Sequence, residues 1–177
     1  MLIPYKNCLE KCIDMKFNDL KEKHLQLKRT QWQLREKLQN NACDLSREYA
    51  ESLSLPSATW KDAQGNEYPY VEIGVWKNPG EFEPTPFPRL PMDENYILNF
   101  VIATTLDDSP VTGGYRHGVS VALYYDRTVL CASVGSGDDI ALFTVSPNSG
   151  GYFEVCAAIK ALINTSIVRA TPQAVIL

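Results

Sequence analysis

Residues Val134–Phe143 read VGSGDDIALF, a glycine-rich loop followed by paired carboxylates. The fold class turns on what comes next. A loop that feeds a helix aims free amide N–H groups at a phosphate and marks a nucleotide-binding α/β fold. A loop that feeds a strand is a turn in a sheet. The residues after Asp139, IALFTVS, alternate in hydropathy and lack a helical period. Asp138 and Asp139 would repel a phosphate, and the glycine spacing matches neither a Walker loop nor a dinucleotide fingerprint. Gly135 and Gly137 are then residues free to take positive φ between two strands. The stretch is a turn.

The segments around it support a sheet. Tyr70–Trp76 alternates, with Val71, Ile73 and Val75 on one face and Trp76 on the other. Tyr96–Leu106 is a β run rich in Ile, Val, Thr and Phe. Gly118–Tyr125 and Thr128–Val134 flank Asp126-Arg127 as a tight hairpin, and Ile140–Val145 is a fifth strand. Short turns between successive strands favour an antiparallel meander. NPGEFEPTPFPRLP, Asn78–Pro91, carries five prolines and reads as a stiff extended loop. A deeply packed helix is expected over Tyr152–Ile163, and Ser166–Ala170 is expected to add a short edge strand limited by Pro172.

Before Trp60 the character changes. Residues 1–60 hold 10 Lys and Arg against 8 Asp and Glu; the remainder holds 7 against 13. Glycine is absent before Gly65. Leu20, Leu27 and Leu34 recur every seven residues, and Leu38, Leu45, Tyr49 and Leu53 continue the stripe. This predicts one long helix or a helical hairpin, with Asn18 or Asp19 as cap, Asn40-Asn41 as the expected break, and Pro56 ending the run. The stripe needs a partner, either the protein's own sheet or a second copy. The fold class expected is α+β: a mainly antiparallel, meander-like five-stranded sheet packed by a C-terminal helix, with residues 1–60 as the helical segment and 61–177 as the sheet domain, forming one compact unit.

Composition narrows function. At 177 residues and net charge −4, the chain lacks the basic excess of a nucleic-acid binder. Its apolar runs fall short of the roughly 20 residues that cross a bilayer. Lysines and acids occupy MLIPYKNCLEKCIDMK, where a secretory signal has an apolar run. Five irregularly spaced cysteines (8, 12, 43, 131 and 156) then read as reduced thiols, and a cytoplasmic location is expected. Cys131 and Cys156 lie in apolar segments, His24 in a charged helix, and no catalytic or metal-binding motif occurs. No catalytic residue, metal site or cofactor is assigned.

In an up-and-down meander the connection after Leu106, DDSPVTGGYRHG, and the GSGDD loop share one end of the sheet. Asp107, Asp108, Asp138 and Asp139 would then form an acidic rim with Arg116 and His117, suited to a basic protein surface. Trp76, Phe82 and Phe87 belong to an aromatic group near the stiff loop, the kind of side chain enriched where proteins grip each other. These nine residues are the candidate partner-binding site. The function expected is a small protein-binding protein, such as an inhibitor or immunity protein that occludes a toxin or effector. A chaperone or adaptor for a secreted protein, dimerising through the N-terminal helix, is one alternative. A small enzyme or ligand-binding domain centred on Arg116, His117 and the loop aspartates is another.

Overall fold

A computed structural model describes residues 5–174. Helix α1 (Tyr5–Cys12) precedes α2 (Phe17–Ser52), a 36-residue helix about 54 Å long at 1.5 Å per residue. The helix starts at Lys16, whose backbone N–H donates to the Asp19 carboxylate at 2.8 Å, so Asp19 acts in the first turn and not as the cap itself. α2 runs through Asn40-Asn41 without the expected break. Leu38, Ala42, Leu45 and Tyr49 surround that pair and are all fully buried, and the Asn41 side-chain amide donates to the Tyr125 hydroxyl at 2.8 Å. Packing on both sides of the pair outweighs the roughly 0.5 kcal/mol by which an asparagine disfavours helix.

Strands β1 (Thr59–Lys61) and β2 (Glu67–Pro69) form a small hairpin of their own. The main sheet has six antiparallel strands where five were expected: β3 (Val71–Asn78), β4 (Glu81–Pro84), β5 (Leu98–Thr105), β6 (Arg116–Asp126), β7 (Val129–Val134) and β8 (Ala141–Thr144). Their spatial order is β4-β3-β5-β6-β7-β8. The extra strand, β4, comes from the proline-rich stretch. Pro84 is tolerated there because β4 lies at the edge and pairs only with β3. From β4 the chain passes through a 3-10 turn at Phe87–Arg89, packed beside α2, and returns to the other side of β3. Only β5 to β8 form a true meander.

Alternation assigns the two faces. Leu98, Phe100, Ile102 and Thr104 of β5, and Val119, Val121 and Leu123 of β6, point toward α2 and α3. One continuous core joins this face to Leu38, Leu45 and Tyr49 of α2 and to Val155, Cys156, Ile159 and Ile163 of α3 (Phe153–Ala170). Within it the Tyr49 hydroxyl and Thr104 Oγ1 hydrogen bond at 2.8 Å, so neither is left unsatisfied. Lys160 of α3 donates to the Ser52 carbonyl at 2.9 Å and fastens the C-terminus of α2. α3 extends seven residues beyond Ile163, replacing the edge strand expected at Ser166–Ala170. It buries one side only, leaving Phe153 exposed. Its last turn is held by the Thr171 hydroxyl on the Ile167 carbonyl and by an Arg169–Asp139 ion pair.

The GSGDD stretch is a strand connection. Gly135 and Gly137 have φ of +99° and +61°, Gly137–Asp139 make a 3-10 turn, and β8 follows. The Asp126-Arg127 hairpin is present, with Arg127 at φ +57°.

Candidate functional site

On the face away from the helices, β3 pairs with β5 only as far as Gly74. Beyond it, the β3–β4 hairpin leaves its neighbour and leans over the sheet. Trp76 reaches across β5 to β6, where its indole N–H donates to Ser120 Oγ at 2.9 Å. The ring lies on Gly118, where any Cβ would overlap it. Beneath this cover Val101 and Ala103 are almost fully buried although no helix lies above them. Trp76 itself remains 38% exposed.

β6 is longer than the strand that follows it. It pairs with β5 from Arg116 to Leu123 but with β7 only from Val121 to Asp126. Arg116–Val119 is therefore paired on one side. Gly135 N–H donates to the Ser120 carbonyl at 2.8 Å and closes the β7 ladder there. In an antiparallel strand the main-chain groups alternate between neighbours, so those of Gly118 and Arg116 point to the same open side as Ser120. They have no protein hydrogen-bond partner among the described residues.

That open edge forms the floor of a groove of about 950 Å³. The leaning hairpin, with Trp76 and Phe82, makes one wall, and Leu162, Ile163 and Ser166 of α3 make the other. Arg116 is held in the floor by a bidentate pair with Glu72, Nε–Oε2 2.6 Å and Nη2–Oε1 3.4 Å, and lies 5.5 Å from the Phe82 ring centroid. Behind it Trp60 stacks on Tyr68, with centroids 5.1 Å apart, and the buried Trp60 indole N–H has no hydrogen-bond partner among the described residues. Tyr115, largely exposed, meets His117 edge to face at 4.9 Å.

Five of the nine expected site residues line this groove: Trp76, Phe82, Arg116, His117 and Asp139. The four aspartates lie at one end of the sheet, since β5 and β7 run the same way, but they do not converge. β7 stops opposite Val121 while β5 continues to face Arg116, a stagger of about 17 Å at the rise of about 3.4 Å per residue. Partners within the protein also occupy three of them. Asp108 accepts from the Tyr70 hydroxyl at 2.7 Å, Asp107 from the Ser109 N–H at 3.1 Å, and Asp139 from Arg169 at 3.4 Å. The bond to Asp108, chiefly, raises the Tyr70 hydroxyl above its ordinary pKa. Among the described residues no three His, Cys, Asp or Glu side chains are placed to hold a metal ion. Phe87 packs against the core next to α2, outside the groove.

Residues that the sequence reading did not single out complete the site: Tyr115, Gly118, Ser120 and Leu162. The sequence alone places Gly118 first in its strand; β6 begins two residues earlier at Arg116, which puts this glycine inside the strand, where it marks close approach of another group. Comparison with family models, with curated proteins and with solved structures finds no match to this chain. Among the described residues no helix is long and apolar enough to cross a membrane.

Proposed function

We propose that this protein works by binding another protein, taking an extended segment of it against the open edge of β6 and thereby occluding that partner's surface, as an inhibitor or immunity protein does. The carrying observation is the one-sided pairing of Arg116–Val119 between an aromatic wall and an apolar wall. Strand addition of this kind draws affinity from main-chain hydrogen bonds and specificity from the alternating side chains on either side. The apolar side of α3 accepts one set of those side chains, and Trp76 with Phe82 the other. The cytoplasm, where thiols stay reduced, is the compartment this reading assumes for the unpaired Cys12, Cys43, Cys131 and Cys156.

An enzyme centred on Arg116 and His117 asks for groups free to meet a substrate. Arg116 is already committed to a bidentate pair with Glu72, which occupies the fork a substrate carboxylate or phosphate would use and favours recognition over turnover.

Photocrosslinking tests the proposal. With Tyr115 replaced by a benzophenone amino acid, irradiation of the native cells is expected to trap one protein, identified by mass spectrometry. In the purified complex the Gly118 and Arg116 amides gain hydrogen-exchange protection. Trp76→Ala and Tyr115→Ala weaken the complex in a graded way, with at least one hot spot of about 2 kcal/mol. A trapped partner whose complex leaves those two amides unprotected overturns the strand-addition mode. A small-molecule turnover lost with Arg116→Ala or His117→Ala, without any protein partner, overturns the binding function.

A further inference from the structure

The seven-residue stripe of α2 has two fates. Its C-terminal half docks on the sheet, where Leu38 and Leu45 are fully buried and Leu34 is packed against the core. Its N-terminal half runs past the core with the same side of the helix uncovered: Phe17 is 76% exposed, Leu20 55% and Leu27 48%. The body comes alongside at Lys28, which lines a shallow pocket with Asp93 and Glu94, and at Gln31, whose side-chain amide donates to the Tyr96 hydroxyl at 3.3 Å.

Written as heptads with Leu20 and Leu27 at d, the a positions are Phe17, His24 and Gln31. The positions flanking this seam are then Lys21 and Lys28 at e, and Lys16 and Lys23 at g. All four lysines are exposed, and none forms an ion pair among the described residues. The acids of the same stretch, Asp19 and Glu22, fall at c and f, away from the seam. Flanking residues at e and g choose the partner in helix pairing. A second copy of this chain is a poor match: a parallel pair sets e against g and an antiparallel pair sets e against e and g against g, so lysine meets lysine in both. A bilayer surface asks for a broad uninterrupted apolar side; here Lys21 and Lys28 at e divide the seam from the exposed Leu25 and Trp32 at b, and His24 interrupts it. Helix pairing tolerates a polar residue at a, where it fixes register.

We propose that the free N-terminal half of α2 is a docking helix for an acidic amphipathic helix of a partner protein, whose carboxylates pair with Lys21, Lys23 and Lys28 on both sides of the Phe17–Leu20–Leu27 seam. The surface is independent of the β6 groove and gives the molecule a second point of attachment.

The test uses the full chain and two synthetic four-heptad helices, identical in their apolar seam, one with Glu and the other with Lys at every e and g position. The expected result is binding of the Glu helix, weakening as salt rises, with no binding of the Lys helix. Lys21→Glu, Lys23→Glu and Lys28→Glu together should weaken binding of the Glu helix on the order of tenfold and turn the preference to the Lys helix. Leu20→Asp with Leu27→Asp should abolish binding of both. These side chains lie clear of the core, and an unchanged melting temperature shows that each variant is folded. Failure to bind the Glu helix, or equal binding of both helices, overturns the proposal. A dimer in sedimentation that Leu27→Asp dissolves assigns the seam to a second copy. Capture by phosphatidylserine vesicles without capture of the Glu helix assigns it to a membrane, and either result overturns the proposal.

Discussion

Gly118 shows how one missing side chain decides the shape of a surface. The indole of Trp76 reaches Ser120 only because nothing projects from β6 between them. Gly118→Ala is expected to displace the indole, break its hydrogen bond and uncover Val101, destabilising the protein by about 1–3 kcal/mol as overpacking does. Urea unfolding measures the loss, and a red shift of tryptophan emission in the folded variant reports the displaced ring. An unchanged midpoint with unchanged emission would mean that the indole has another seat. The aspartates make the opposite point at the same scale. Their positions in strand connections were legible from the sequence, but only Asp107 takes a local donor, the Ser109 N–H. Asp108 and Asp139 accept from Tyr70 and Arg169, which lie far away in the chain and are brought near by the fold.

Among the elements, α2 carries two energetic regimes on one heptad pattern. Leu45 is fully buried, so Leu45→Ala should cost about 2–5 kcal/mol through lost transfer energy and the cavity left behind. Leu20 is more than half exposed, and Leu20→Ala should change stability by no more than about 0.5 kcal/mol. Chemical denaturation of the two variants separates these outcomes, and equal losses would show that the N-terminal half is covered as well. The sequence pattern drew the stripe but not where the sheet beneath it ends. α3 departs from expectation for a related reason. Its last residues, Asn164–Ala170, include isoleucine, valine and threonine, which favour strands locally. The packing of Val155, Ile159 and Ile163 into the core anchors the preceding turns as helix and outweighs that preference. The helix instead continues, and Arg169 reaches Asp139 in the turn before β8.

For the molecule as a whole, one core joins both helices to the sheet, and its stability should be bounded by ionisation on both sides. Asp62 and Asp93 each accept hydrogen bonds inside a turn, the Asn66 side chain mattering most for the first and the Ile97 N–H for the second. Both carboxyls are held below their usual 3.8. The fold therefore favours their charged forms, and their contribution, complete above the unfolded value, is lost as pH falls through the lowered ones. Burial pushes the Cys156 thiol from 9.0 up to about 11 and also raises the hydroxyls of Tyr49 and Tyr152. There the fold favours the neutral form, so stability is complete below about 9 and declines as pH rises toward 11. Urea midpoints measured across pH should show a plateau with a loss on each side. Cys156→Ala should flatten part of the alkaline limb, and Asp93→Asn part of the acid limb. A midpoint independent of pH above 9 would contradict the burial of Cys156.

The sequence by itself determined the class of local structure in the stripe of α2, the alternation of β3 and β5 to β8, and the turn at Gly135–Asp139. Those features depend on side-chain period and backbone freedom, which are properties of a few neighbouring residues. Tertiary structure alone decided that β4 sits outside β3, that β7 stops short of Arg116, and that the β3–β4 hairpin leans over the sheet. Each of these depends on strand lengths and pairings between segments far apart in the chain, and no local pattern encodes them. The groove and the uncovered half of α2 are products of those lengths: a strand longer than its neighbour, and a helix longer than the sheet beneath it.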